Sequence, residues 1–177
     1  MPQDYSPSRR LVCRTVALAA VGLLARPVIA ASQISGERAD RIVVLKSART
    51  LIVLRGRNVL RIFPIALGLH PKGPKRQEGD GRTPEGHYQI DGFNARSRFY
   101  RALHISYPNA EDLRRANAAG VEPGGNIEIH GLPERYGNYN PVAFGKDWTN
   151  GCIAVSNPAI SYIWTSVDIG TPIHIVA

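Results

Sequence analysis

The most constraining feature of this sequence is a series of short apolar runs of the kind that form β-strands. Three of them, RIVVLK, TLIVLR and NVLRIFPIAL, follow one another between positions 41 and 67. The residues RGRN at positions 55–58 separate the second run from the third, as in a β-hairpin. HYQID, RALHISY and TPIHIVA follow, and in RALHISY apolar residues occupy alternate positions. These runs predict a mainly β fold.

Two helices and one long loop complete the predicted organisation. Asn109 is expected to cap a short helix that ends at Gly120. A second helix is expected to have Asn157 as its N-cap and Pro158 in its first position. The apolar face of this second helix comprises Ile160, Ile163, Trp164 and Val167. Residues 70–86, rich in glycine and proline, predict a long surface loop, and such loops often carry function.

Residues 1–31 have the order of a secretory signal. Arginines at positions 9, 10 and 14 give a charged start, an apolar run follows, and small residues surround Ala30. The arginine pair also resembles a twin-arginine export start, and the apolar run is too short for a stable membrane span. We therefore expect a signal segment at 1–31, an exported, periplasmic domain at 32–177, and, as the alternative, a cytosolic N-terminal helix.

The charge of the chain points to an anionic partner. The whole sequence has 22 Lys and Arg against 14 Asp and Glu, a net charge of +8. Residues 1–31 hold four of the basic residues and one of the acidic residues, so 18 and 13 remain. Export and the lack of a basic helix argue against nucleic acid as the partner, so an anionic membrane surface and an acidic polymer remain the candidates.

Loss of the signal segment also removes Cys13 and leaves Cys152 as the one thiol. A lone cysteine forms no internal disulfide, so Cys152 is either a buried small hydrophobe or a reactive group. A reactive thiol needs a base, and His130, at the end of the alternating run GGNIEIHG, is the best placed of the five histidines. Gly151 would let the amides of Gly151 and Cys152 approach an oxyanion.

These residues resemble the signature of the L,D-transpeptidase (YkuD-like) catalytic domain, in which His-Gly precedes Ser/Thr-x-Gly-Cys and a hydrophobic residue. His130-Gly131 and the run from Thr149 through Asn150 to Ile153 fit that pattern. GDGRTPEGHYQI is similar to the family's Gly-x-x-x-Thr-Pro-x-Gly loop, and RIVVLKSARTLIVL to its opening hairpin. The resemblance covers residues 40 to 177.

The resemblance implies an L,D-transpeptidase-like β-sandwich with short covering helices and a cysteine enzyme that acts on the stem peptides of peptidoglycan. Cys152 would be the nucleophile that forms a thioester, His130 the base, and Gly151 with Cys152 the source of oxyanion amides. A second stem or an anchored lipoprotein would accept the acyl group. Gly131, Thr149, Asn150 and Trp148 are the further candidates for oxyanion or substrate binding, although Trp148 is equally expected to pack the loop.

Two positions depart from the family pattern. Many members have Ser-His-Gly-Cys-Ile-Arg, whereas this chain has Asn150 in place of the histidine and Ala154 in place of the arginine. The alternatives to transpeptidation are therefore an L,D-carboxypeptidase or amidase that uses water, and a catalytically inactive wall-binding module.

The other polar residues are expected to play lesser parts. His104 is expected to be solvated or to line a cleft, and Arg96 and Arg98 to form a solvated charge run or, alternatively, to meet substrate carboxylates. The sequence has no His-x-x-x-His or two-cysteine pair at metal-ligand spacing, so no metal or other cofactor is expected.

Overall fold

The structure is a computed structural model that describes residues 38–136, 139–140 and 147–177. The predicted signal segment, residues 1–31, lies outside the described residues. The strands are β1 (Arg41–Leu45), β2 (Thr50–Arg55), β3 (Asn58–Pro64), β4 (Gly86–Asn94), β5 (Ala102–Ile105), β6 (Glu128–His130), β7 (Ile153–Ala154) and β8 (Pro172–Val176). The helices are α1 (Ala110–Ala119) and α2 (Asn157–Ser166), with a 3₁₀ turn at Glu134–Tyr136.

The eight strands form one curled sheet in the order β3-β2-β1-β8-β4-β5-β6-β7. The pairs β1–β8 and β6–β7 are parallel, and the others are antiparallel. Strand β4 belongs to both halves, because residues 86–89 pair with β8 and residues 90–94 pair with β5. The register shifts between Ile90 and Gly92, and such a bulge bends a strand and increases its twist. The predicted hairpin and the mainly β fold are confirmed.

The core lies where the two halves of the sheet meet α2. Strands β1 and β2 alternate between buried and partly exposed residues, as a strand with one covered face should. The core draws on both halves and on the helix, including Ile42, Val53, Ile90, Leu103, Ile129, Ile153, Ile160 and Ile173. Burial of each such side chain contributes about 1.5–3 kcal/mol. The apolar runs of the sequence thus become the inner face of the sheet.

The two helices occur where the sequence predicts them, with one change at a cap. Asn109 caps α1 by accepting from the backbone of its first turn, and Gly120 ends the helix at φ 66°. The N-cap of α2 is Ser156, so the prediction of Asn157 is wrong. The Asn157 side chain instead accepts a hydrogen bond from Leu132 N at 2.7 Å, a contact between distant segments that sequence does not reveal. No helix within the described ranges is long and apolar enough to cross a membrane.

The predicted loop is only partly a surface loop. Residues 70–85 contain no helix or strand, as expected, but Lys75 and Thr83 are buried. The buried Lys46 Nζ holds the segment by donating to the carbonyls of Gly73 and Thr83 and to Glu85 Oε1, each at 2.8 Å. Burial lowers the pKa of Lys46, and the bond to Glu85 opposes that shift. The glycine-rich segment is therefore tied to the sheet.

Candidate active site

Two parallel strands bring the predicted nucleophile and base to the same face of the sheet. His130 ends β6, and Cys152 directly precedes β7, which pairs with β6 so that Ile153 lies opposite Ile129. Both isoleucines point into the core, and neighbouring residues in a strand point to opposite faces. His130 and Cys152 therefore share the face away from the core, where both line one cavity.

The His130 imidazole is held by a hydrogen bond and by two aromatic rings. Its Nδ1 lies 2.7 Å from the carbonyl oxygen of Gly131. The ring stacks on Phe99 at a centroid distance of 4.4 Å and meets the Trp148 ring edge-on at 5.7 Å. Because a carbonyl only accepts, Nδ1 carries the proton and Nε2 keeps a lone pair. The sequence gives no side chain for this orienting contact, and the structure places a backbone carbonyl there.

Burial keeps both candidate catalytic groups uncharged at neutral pH. It lowers the pKa of His130 to about 4, with the Gly131 bond opposing the shift and the Arg98 charge adding to it. It raises the pKa of the Cys152 thiol, against a hydrogen bond from the Glu128 backbone. At rest the cavity therefore holds a thiol and a neutral imidazole.

A tight turn presents Cys152. Thr149 Oγ1 donates to the Cys152 carbonyl at 2.7 Å and accepts from the Gly151 N–H at 3.1 Å. Gly151 has φ +130°, and a Cβ on it would lie 2.6 Å from the Arg82 carbonyl oxygen. A side chain is therefore excluded here on two grounds, strain and space. The Cys152 Sγ lies 3.7 Å from the carbonyl oxygen of Asn126.

Gly131 is required by close packing. An added Cβ would collide with Asn157 Oδ1 and would lie 2.9 Å from the Phe99 carbonyl oxygen. Since Asn157 belongs to the first turn of α2, the glycine lets that helix approach the end of β6. The same approach fixes the carbonyl that orients His130.

The cavity has a volume of about 750 Å³. Five of the residues predicted for the site line it: His130, Trp148, Thr149, Asn150 and Cys152. Gly131 and Gly151 support it through the backbone contacts described above. The cavity is also lined by residues that the sequence analysis did not predict, among them Asn94, Phe99, Asn126 and Glu128.

Some of these residues carried a usable signal and others did not. Glu128 lies two positions before His130 in a strand, so period-two alternation places both on one face. Phe99 lies in the β4–β5 connection, and only tertiary packing brings it to His130. Arg96 and Arg98 are exposed, as the charge-run prediction requires, and they also line the cavity.

The segment behind the Cys152 turn is organised around one carboxylate. Asp80 Oδ1 accepts from Lys75 Nζ at 2.9 Å and from Arg82 N at 3.0 Å. Asp80 Oδ2 accepts from Arg76 N at 2.7 Å and Gln77 N at 3.2 Å. Although burial acts to raise the pKa of Asp80, these bonds together hold it below 3.8. The carbonyl of Arg82, which borders Gly151, is thereby positioned.

Three of the four other histidines have partners of their own. His104 Nδ1 lies 2.5 Å from Asp91 Oδ1, and the rings of His87 and His174 stack at 3.8 Å. None of the three lines the cavity around Cys152. Within residues 38–136, 139–140 and 147–177, no group of three or more His, Cys, Asp or Glu is arranged to hold a metal ion.

Comparisons with known proteins identify the family of this chain. The sequence model of the L,D-transpeptidase catalytic domain (YkuD) matches residues 39–175. YafK of Escherichia coli K12, which carries an L,D-transpeptidase name, is 33% identical over 94 residues, covering 50% of this chain and 36% of that protein. YqjB of Bacillus subtilis, similarly named, is 24% identical over 135 residues, covering 76% of this chain and 69% of that protein.

Solved structures share the fold. The helical cell shape determining protein Pgp2 of Campylobacter jejuni superposes with a TM-score of 0.60 at 24% identity, covering 78% of this chain and 48% of that one. Bd1075 of Bdellovibrio bacteriovorus gives a TM-score of 0.56 at 24% identity, covering 79% and 48%. This chain thus spans about a third of YafK and about half of each solved protein. Since the family model covers most of its length, the chain belongs to the L,D-transpeptidase catalytic domain (YkuD) family.

Proposed function

We propose that this chain is a periplasmic cysteine L,D-transpeptidase that acts on peptidoglycan stem peptides. The observation that supports this most directly is that Cys152 and His130 line the same cavity, with the imidazole held by the Gly131 carbonyl so that Nε2 can take a proton. The family acts on stem peptides in general, and the open cavity has room for a peptide.

The first half of the reaction transfers the stem to the thiol. Sγ of Cys152 attacks the carbonyl carbon after the third stem residue while its proton passes to His130 Nε2. The carbon–sulfur bond forms and the carbonyl oxygen becomes an oxyanion. When the tetrahedral species collapses, the carbon–nitrogen bond breaks, His130 returns the proton to the leaving amine, and D-alanine departs from a thioester. Neutral resting groups suit this sequence, since the proton moves only during attack.

Backbone amides would stabilise the oxyanion. The Gly151 N–H already donates to Thr149 Oγ1 at 3.1 Å, so an oxyanion would have to share or replace that bond. The Cys152 amide is the first candidate for the direct contact. Thr149 then acts mainly by holding the turn, through its donation to the Cys152 carbonyl at 2.7 Å.

The second half of the reaction releases the acyl group. An amine of a second stem or of an anchored lipoprotein attacks the thioester, gives its proton to His130, and forms an amide as the thiol is restored. Water as the acceptor would give a shortened stem instead. Position 154, where many members of the family have an arginine, holds the fully buried Ala154, so no cation there assists either acceptor.

Incubation of the purified protein with muropeptides, followed by mass spectrometry, tests the proposal. We expect a covalent adduct on Cys152, release of D-alanine and new cross-linked dimers. Cys152→Ala should retain the fold by circular dichroism and yield none of these. Shortened stems or released lipoprotein remnants would show that the enzyme transfers the acyl group to water and is a hydrolase instead of a transpeptidase. Binding to sacculi without D-alanine release or alkylation of Cys152 would mean a wall-binding module.

Export through residues 1–31 is part of the same proposal. Cell fractionation should place the protein in the periplasm, and N-terminal sequencing should find a start near position 32. A product that keeps its N-terminus in the cytosol would contradict it.

A further inference from the structure

The β4–β5 connection forms the cationic wall of the cavity. Arg96, Ser97, Arg98 and Phe99 all line it. Among the described lining residues, the two arginines are the only permanently charged cations, because His130 is neutral at pH 7. An anionic group of a ligand in this cavity would therefore meet this wall.

Arg98 is fixed in a way that leaves its hydrogen-bond donors available. Its Cζ lies 4.8 Å from the centroid of the Phe99 ring, which itself stacks on His130 at 4.4 Å. A guanidinium held over an aromatic ring keeps its N–H groups available to bind a carboxylate in a bidentate manner. In the parts of the chain that the structure describes, no ion pair or side-chain hydrogen bond engages Arg98, and the side chain is exposed. Arg96 has no comparable ring support there.

The charge of Arg98 reaches the reacting groups. It adds to the lowering of the His130 pKa and opposes the raising of the Cys152 pKa. The side-chain charge of Glu128, in the same cavity, acts to raise the Cys152 pKa. Since Arg98 lines the cavity that holds Cys152 and lies over the ring that stacks on His130, a carboxylate held by Arg98 would lie in that same cavity.

We propose that Arg98 binds a carboxylate of the stem peptide and makes the enzyme selective for stems that carry it. This inference rests on the proposed function, because it takes the ligand to be a stem peptide. A tetrapeptide stem containing meso-diaminopimelate offers three carboxylates: that of D-glutamate, that of the diaminopimelate side chain, and the C-terminal one of D-alanine. Any of the three has the chemistry that the guanidinium recognises.

Calorimetry with the full chain carrying Cys152→Ala, which prevents turnover, tests the inference. The probes are the tetrapeptide and three analogues, each with one carboxylate converted to an amide. We expect one amide to weaken binding by about tenfold or more, as loss of a charged hydrogen bond does, and to identify the carboxylate. Adding Arg98→Ala should weaken binding of the parent tetrapeptide by a similar factor, and that amide should then have no further effect on affinity. Arg98→Lys should recover part of the affinity.

Arg96→Ala is the matched control, since it removes a cation from the same wall without the ring support. It should leave the sensitivity to the amide in place, and thermal melts should show that each variant is folded. If the parent binds and no amide matters, or if the amide effect persists in Arg98→Ala, the inference is wrong while the proposed function stands. If the parent does not bind and the wild-type protein forms no adduct, both are wrong.

Discussion

Replacement of Asp80 by asparagine tests the account of how the Cys152 turn is supported. The side chain of Asp80 is 11% exposed and that of Lys75 is 4% exposed, so the ion pair is almost fully removed from water. Besides Lys75, the carboxylate accepts three backbone N–H groups, from Arg76, Gln77 and Arg82. The asparagine amide keeps one acceptor oxygen. Its NH₂ group replaces the second carboxylate oxygen and faces the N–H donors that this oxygen accepted from. The lysine meanwhile loses its counter-charge.

The expected cost follows from those contacts. Removal of one partner of a buried ion pair costs about 3–5 kcal/mol. For a domain of this size that corresponds to a fall in Tm of roughly 10 °C or more. The lowered pKa of Asp80 sets how this stabilisation depends on pH. The stabilisation is fully present above pH 3.8, the ordinary pKa, and is lost as pH falls through the lower pKa of the folded state. The difference between the two proteins should therefore shrink in acid.

Urea denaturation followed by circular dichroism at pH 7 and at pH 3 gives the measurement. Glu111→Gln is the matched control, because it makes the same carboxylate-to-amide change in an ion pair with Arg114 whose side chains are 59% and 69% exposed. Such exposed pairs contribute less than about 1 kcal/mol. The reasoning is refuted if Asp80→Asn unfolds within 1 kcal/mol of the wild-type protein at pH 7.

Three further predictions concern the site. Gly151→Ala should lower the acylation rate by at least about tenfold, because its Cβ would lie 2.6 Å from the Arg82 carbonyl oxygen. The matched control is Gly79→Ala, which is also at positive φ but has no atom within 4 Å of the added Cβ. It should leave the rate unchanged in the same mass-spectrometric assay. Since the pKa of His130 is about 4, kcat/KM should fall only as pH drops toward 4, and Arg98→Ala should move this acid limb upward; a limb near 6.5 would contradict the burial argument. Asn157→Ala should cost about 1–3 kcal/mol in thermal unfolding, because the buried Leu132 N–H loses its acceptor, and an unchanged Tm would show that another group replaces it.

Local patterns predicted most of the architecture. Strands β1, β2 and β3 were visible because valine, isoleucine and leucine recur at strand spacing, and both ends of α1 were visible because Asn109 and Gly120 have strong local preferences. The start of α2 was predicted one residue too late. The Asn157 side chain accepts a hydrogen bond from Leu132 N, and Ser156 is the N-cap. Local preference predicts a feature when no distant contact competes for the residue.

The candidate site divides in the same way. Cys152 and His130 could be chosen from the sequence because a thiol and an imidazole are rare and chemically distinctive residues. Phe99 could not, since an aromatic residue in a connection has no local signature for stacking on a histidine. The carbonyl of Gly131 could not either, because every residue has one and only the folded geometry aims it at Nδ1.

The parallel pairing of β1 with β8 bears on the order in which the domain can fold. Ile42 in β1 pairs with Ile173 in β8, and β8 also pairs with β4, so β8 joins the β1–β3 half of the sheet to the half that holds Cys152. Closing so long a stretch of chain has an entropic cost and slows folding. The two halves of the sheet are therefore not joined until β8, which follows Cys152 in the chain, has paired with β1 and β4. The cavity that holds Cys152 is thus completed late in folding, when that strand pairs.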